Sequence, residues 1–147
     1  MRVYLDNCCY NRPYDNQAQL KVYLETQAKL EIQRMIMDEE LELVTSYILE
    51  AENAANPFNG KRSDIQSFID MYTSVYVSRN RESDVQELAD EVMKSGIKTM
   101  DAYHIACAEI AECDVFFTTD KRVLKYSAGR MRIINPVSYI VELEGTK

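Results

Sequence analysis

Four carboxylates in this 147-residue chain stand where strands should end or helices begin: Asp6 after RVYL, Glu52 in SYILEAEN, Asp101 in KTMDAYHIACAE and Asp120 after VFFTT. Acids gathered without a balancing Lys or Arg repel one another and keep their protons above the ordinary carboxylate range. A divalent cation removes that conflict, and Mg2+ and Mn2+ prefer carboxylate and water oxygens. A cation so held lowers the pKa of bound water, polarises a phosphoryl oxygen and stabilises a leaving oxyanion in an in-line displacement. The chemistry to expect is metal-assisted hydrolysis, which needs no cysteine or histidine nucleophile. Glu50 competes with Glu52 for the helix position. Side chains two apart on a helix point roughly 200° apart, so only one of the pair can face the other acids.

The elements that must position these residues follow from periodicity and punctuation. Val3, Tyr4 and Leu5 read as a buried strand with Asp6 at its carboxyl end, where open α/β sheets place their ligands. Residues 16–38 lack Gly and Pro and carry apolar residues at helical spacing, with Glu25 and Glu31 expected in solvent. LELVTS, residues 41–46, is the second strand, and Ser46 suits the N-cap of a helix running to Pro57. A helix over 62–74 leads into SVYVS, which fits a helix end or a short strand. Ser83, with Gln86 three residues on, has the capping-box pattern for a helix that Gly96 stops, and Thr99 suits the cap of the next. DVFFTT is an apolar strand of the kind found inside parallel sheets, followed by a short basic helix from Asp120, a strand at RMRII and a final helix after Pro136. Alternating strands and helices predict a single α/β domain over residues 1–147, with a mainly parallel sheet of four or five strands. Asp6 and Asp120 then share one sheet edge.

Composition narrows the classes. A net charge of −7 and a pI near 4.8 argue against a globally positive nucleic-acid binder. The charge is uneven, however: Lys121, Arg122, Lys125, Arg130 and Arg132 fall in a run with no acid among them, either a solvated face or an edge that contacts phosphates. Cys8, Cys9, Cys107 and Cys113 form no CxxC pair, and His104 is the single histidine. Zinc is therefore not expected, and the thiols read as reduced and mostly buried. No apolar run reaches membrane-spanning length and the N-terminus has no signal-peptide pattern, so a cytoplasmic location is expected.

Taken in order, YLDNCC, SYILEAEN, MDAYHIACAE and VFFTTDKR resemble the PIN-domain nucleases across nearly the whole chain. The resemblance implies a three-layer sandwich with helices on both faces of the sheet. It also implies an Mg2+- or Mn2+-dependent ribonuclease, most naturally an endonuclease, that leaves a 5′-phosphate and a 3′-hydroxyl. The acids of the family fall on Asp6, Asp101, Asp120 and Glu52, with Glu50 as the fallback. Asn7 and Thr118 match polar positions beside the acids and take supporting roles, while Arg12, Lys121, Arg122 and Lys125 are the expected contacts to RNA. His104 matches a frequent family position but reads as a packing histidine. Tyr10, Tyr14 and Tyr103 could stack on bases, with packing favoured for each. Small members resemble VapC-type toxins, so an antitoxin partner and a homodimer are further implications.

Two other readings stand beside the nuclease. A catalytically silent PIN-type domain would bind RNA or a protein. A receiver-like signalling domain would use acids at the carboxyl edge to hold Mg2+ while one Asp is phosphorylated.

Overall fold

The computed structural model describes residues 1–145. Its element order is β1 (Arg2–Leu5), α1 (Asn7–Asn11), α2 (Leu20–Met37), β2 (Glu42–Ser46), α3 (Tyr47–Ala54), α4 (Asn59–Tyr72), β3 (Thr73–Val77), α5 (Glu82–Met93), α6 (Thr99–Ile110), β4 (Val115–Phe117), α7 (Lys121–Leu124), β5 (Arg132–Ile134) and α8 (Pro136–Gly145). The five strands form one sheet in the order β3-β2-β1-β4-β5, and each neighbouring pair is parallel. SVYVS is thus largely a strand. The order differs from the 2-1-3-4-5 arrangement of receiver-like doubly wound sheets, which removes the signalling reading.

Period-two alternation makes three layers from this sheet. Val3, Leu5, Leu43, Val115 and Phe117 face one side, where they pack with Cys9, Ile32, Ile36, Leu49, Ile65, Ile69 and Tyr139. Tyr4, Val44, Val77 and Phe116 face the other, beneath Val85, Ala89 and Val92 of α5 and Ile105 of α6. Both faces are covered, so β4 is apolar throughout and β1 is fully buried from Val3 to Leu5. The rings of Tyr4 and Phe116 stack across the β1–β4 pair at 5.4 Å. Ala102, Ala106 and Ala108 are fully buried on α6, and side chains that small let this helix lie close to the sheet. Enlarging one of them forces a backbone shift, at a cost of about 1–3 kcal/mol.

Helix ends depart from the expected caps. Ser46 does cap α3, accepting from the Leu49 amide at 3.1 Å. Ser83 and Thr99 cap nothing: α5 starts at Glu82 behind Arg81, and α6 starts at Thr99 behind Lys98, with no side-chain cap in either case. A preceding 3₁₀ turn at Arg79–Arg81 feeds directly into α5, which moves Ser83 inside the first turn. α6 ends in a Schellman motif, with Glu112 N donating to Glu109 O and Cys113 N to Ala108 O. Glu112 occupies its left-handed position at φ 58°, where glycine is the unstrained residue.

Candidate active site

Asp6 ends β1 and caps α1. One of its oxygens accepts from the Asn7 amide at 2.8 Å, and the other accepts from the Thr118 hydroxyl at 2.9 Å. Thr118 follows β4, the strand beside β1, and its Oγ1 in turn accepts from the Asp120 amide at 3.1 Å. One hydroxyl therefore links the acids that follow two adjacent strands. Asp120 caps α7, accepting from the amides of Arg122 and Val123 at 2.8 and 3.3 Å. Asn7 acts on Asp6 through its backbone, while its own side-chain oxygen is buried without a hydrogen-bond partner.

Glu52 is held from beneath. His104 Nε2 and Glu52 Oε1 lie 2.7 Å apart, His104 Nδ1 is 2.6 Å from the Tyr4 hydroxyl, and that hydroxyl is 2.8 Å from Ser46 Oγ. With His104 neutral, one donor order satisfies the chain: Ser46 to Tyr4, Tyr4 to His104, and His104 to Glu52. Tyr4, Ser46 and His104 are fully buried, so this polar line crosses the core from the β1–β2 pair to the site. Burial pulls the His104 pKa down. The Glu52 hydrogen bond and the nearby Asp6 and Asp101 outweigh it, and the net direction is upward. Against its reading as a simple packing histidine, His104 is also the group that orients Glu52.

Asp101 stands in the first turn of α6, three residues before His104 and on the same helical face. Its pKa is pushed up to about 6, first by burial and then by Asp6, Asp120 and Glu52, with His104 opposing. Asp6, Glu52 and Asp120 thus all lie within electrostatic reach of Asp101. Glu50 goes elsewhere. It accepts from Gln66 of α4 at 3.3 Å and raises Tyr76 of β3 toward about 12, after the larger effect of burial. Among the described residues no Lys or Arg forms an ion pair with Asp6, Glu52, Asp101 or Asp120, and His104 is the one basic partner. The donors are all hard oxygens, the chemistry that suits Mg2+ or Mn2+. The enclosure is not preformed: among the described residues no three Asp, Glu, His or Cys side chains are already set around a common ion.

The remaining expected residues divide. Arg12 is paired with Glu25 at 2.9 Å and Asp15 at 2.8 Å. Glu25, expected in solvent, is buried and also accepts from Asn135 at 2.6 Å, because α8 covers that face of α2. Tyr10 is buried and has no face for a base. Tyr103 donates to Gln86, and Tyr14 is exposed with Lys61 over its ring. Of the basic run, Arg130 pairs with Asp114 and Arg132 with Glu142. Lys121, Arg122 and Lys125 enter no ion pair among the described residues and follow directly on Asp120. A cavity of about 660 Å³ between α3 and α5 is lined by Tyr47, Glu82 and Tyr103 among others and includes none of the four acids. All four cysteines are free thiols, and no helix among the described residues is long and apolar enough to cross a membrane.

No protein-family model matches the sequence, and no curated protein matches it. Among solved structures the chain is similar to one in the crystal structure of VapBC2 from Rickettsia felis bound to a DNA fragment from their promoter. The TM-score is 0.56 at 12% identity, over 92% of this chain and 98% of that one. At that identity the shared property is architecture, and with its five parallel strands between two helical layers this chain has a PIN-like α/β fold.

Proposed function

We propose that the protein is a metal-dependent ribonuclease. The observation that carries this reading is Asp101, pushed up to about 6 beside Asp6, Asp120 and Glu52, none of which forms an ion pair with a Lys or Arg among the described residues. Such a cluster costs stability unless a cation joins it. Asp6, Asp101, Asp120 and Glu52 would hold Mg2+ or Mn2+, which supplies an activated water and charge neutralisation at the phosphoryl group. Thr118 keeps Asp6 and Asp120 at a fixed separation. His104, anchored through Tyr4, holds Glu52 against the core so that it does not swing into solvent. Lys121, Arg122 and Lys125 offer cations to the backbone of an RNA strand next to the acids. A role as the toxin of a toxin–antitoxin pair is the biological form we assign to this activity. The fold it shares with a VapBC2 chain supports that assignment.

The test is cleavage of a mixed single-stranded RNA pool in Mn2+, Mg2+ or EDTA by wild type, Asp6→Asn, Asp101→Asn and Glu50→Gln. Metal-dependent cutting that disappears in both Asp variants and survives in Glu50→Gln is expected. The second reading, a silent binding module, draws on the finding that no three Asp, Glu, His or Cys side chains are set around a common ion among the described residues. Wild type that binds the pool but leaves it intact in every metal would establish that reading instead.

A further inference from the structure

A second constellation lies on the other side of the sheet, between α1, α2 and α4. A cavity of about 170 Å³ is lined by Tyr10, Pro13, Tyr14, Lys29, Leu30, Gln33, Asp64, Ile65 and Phe68. Two of its polar groups are in an uncommon condition. Tyr10 is only 1% exposed, and its hydroxyl has no hydrogen-bond partner. Lys29 is only 7% exposed, and its ammonium donates to Gln33 at 2.6 Å. It enters no ion pair among the described residues. Two aromatic rings also stand near it, with Nζ 5.7 Å from the ring centres of both Tyr10 and Phe68. A buried ammonium without a counter-ion is costly, and an unpaired buried hydroxyl adds to that cost.

We propose that this cavity is a binding site for a small organic carboxylate with an apolar body. The carboxylate supplies the acceptors that the Lys29 ammonium and the Tyr10 hydroxyl lack, while Leu30, Ile65 and Phe68 enclose the apolar part. A cavity on the order of 150 Å³ takes a benzene ring, so the space suits an acid of benzoate size. A phosphate dianion fits less well, since one lysine would have to balance two charges and the walls offer no further cation. Asp64 lines the same cavity, with its carboxylate accepting from Tyr14 at 3.4 Å, and it further disfavours a dianion. None of the residues that carry the proposed ribonuclease chemistry lines this cavity, so the inference stands independently of that reading.

Protonation provides a second signature. Burial pulls Lys29 down to about 8, opposed weakly by Cys9 of α1. The groups facing it are the Cys9 thiol and Tyr10 of α1, Gln33 of its own helix, and Asp64 of α4. Of these Cys9 and Tyr10 are held above their ordinary values, first by burial, and are neutral near pH 8. A bound carboxylate favours the charged amine, so affinity should fall as pH rises through about 8.

The experiment is titration of the full chain with benzoate, benzyl alcohol and inorganic phosphate, followed by amide chemical shifts, in wild type, Lys29→Met and Tyr10→Phe. Expected is saturable benzoate binding that shifts residues of α1, α2 and α4, with benzyl alcohol at least about tenfold weaker. Tyr10→Phe keeps the ring and should weaken benzoate by about threefold to tenfold. Lys29→Met keeps the length of the side chain and should abolish the preference for benzoate over benzyl alcohol. Thermal melts of both variants check that each is folded at the titration temperature. The proposal is overturned if benzoate gives no saturable shift at millimolar concentration, if phosphate binds more tightly than benzoate, or if folded Lys29→Met binds benzoate as wild type does.

Discussion

Replacing Asp101 by asparagine isolates the electrostatic load on the acid cluster. A carboxyl raised from 3.8 to about 6 corresponds to ~3 kcal/mol of lost stability at neutral pH. Asp101 is only half-buried, so solvent screening reduces this to ~1.5 kcal/mol. Removing a negative charge from the first turn of α6 forfeits about 0.3–1 kcal/mol. The variant should therefore be more stable than wild type by about 1 kcal/mol near neutral pH, or about 2–4 °C in Tm for a chain of this size. The sign depends on pH in a defined way. A folded-state pKa above the unfolded value makes the ionised form the costly one. The penalty is thus absent below about pH 4, grows toward about pH 6 and is complete above it. Thermal melts in EDTA at the two ends of this window are the assay. Adding Mn2+ at neutral pH should then raise the Tm of wild type more than that of the variant. An Asp101→Asn protein that is less stable than wild type by the same amount at both ends would refute the reasoning, since a packing loss has no such pH dependence.

Tyr4→Phe interrupts the line from Ser46 to Glu52 and leaves His104 Nδ1 buried without its partner; a loss of about 1–3 kcal/mol in urea melts is expected. Because Glu52 and its neighbours raise the His104 pKa in the folded state, that pairing stabilises the protein below the unfolded histidine value near 6.5 and is lost as pH rises through the folded one. Glu52→Gln should accordingly destabilise wild type more in mild acid than at pH values above neutral, measured by the same melts. Glu25→Ala removes the acceptor of Asn135 and leaves Arg12 with Asp15 alone; a loss of about 1–3 kcal/mol in urea melts is expected. Converting Lys121, Arg122 and Lys125 together to Gln should lower the dependence of RNA affinity on log salt by about 0.7 for each phosphate that is no longer neutralised, read from filter binding at several salt concentrations. Glu112→Gly should raise stability by about 1 kcal/mol by relieving the left-handed position that ends α6.

Most of the scaffold was legible because buried parallel strands are apolar runs and α5 keeps a clear period, whereas on α2 Leu20, Tyr23, Leu24 and Leu30 are exposed and Glu25 and Lys29 are buried. Asp6 and Asp120 could be read as neighbours, since both follow apolar strands and parallel pairing puts strand ends on one edge. The choice between Glu50 and Glu52 was not legible, because it depends on the roll of α3 against α4 and α6, and no local pattern encodes that angle. The role of Tyr4 was equally hidden. A tyrosine in an apolar strand looks like core, and only its hydroxyl, aimed between Ser46 and His104, reveals a second function. Glu25 was misread for a related reason: α2 looks two-faced in isolation, and the partner that buries its second face, α8, is more than a hundred residues away in sequence. The cap at Ser83 failed because the 3₁₀ turn at Arg79–Arg81 carries the chain into α5 at Glu82, and the cap at Thr99 failed because the extended residue before α6 is Lys98, which puts Thr99 at the first helical position.

The position of β1 in the sheet has a consequence for how the chain acquires its structure. It is the earliest strand in sequence yet the middle one in space, paired with β2 on one side and β4 on the other. The β1–β2–β3 half can associate first, but it then presents the open edge of a strand whose Val3, Tyr4 and Leu5 are all destined for complete burial. That edge stays available to other chains until residues beyond 115 dock as β4. A chain that has not yet added β4 therefore carries an open sheet edge at which aggregation competes with completion of the fold. The addition of β4 also brings Thr118 and Asp120 to Asp6, so a partly assembled molecule has no complete acid cluster.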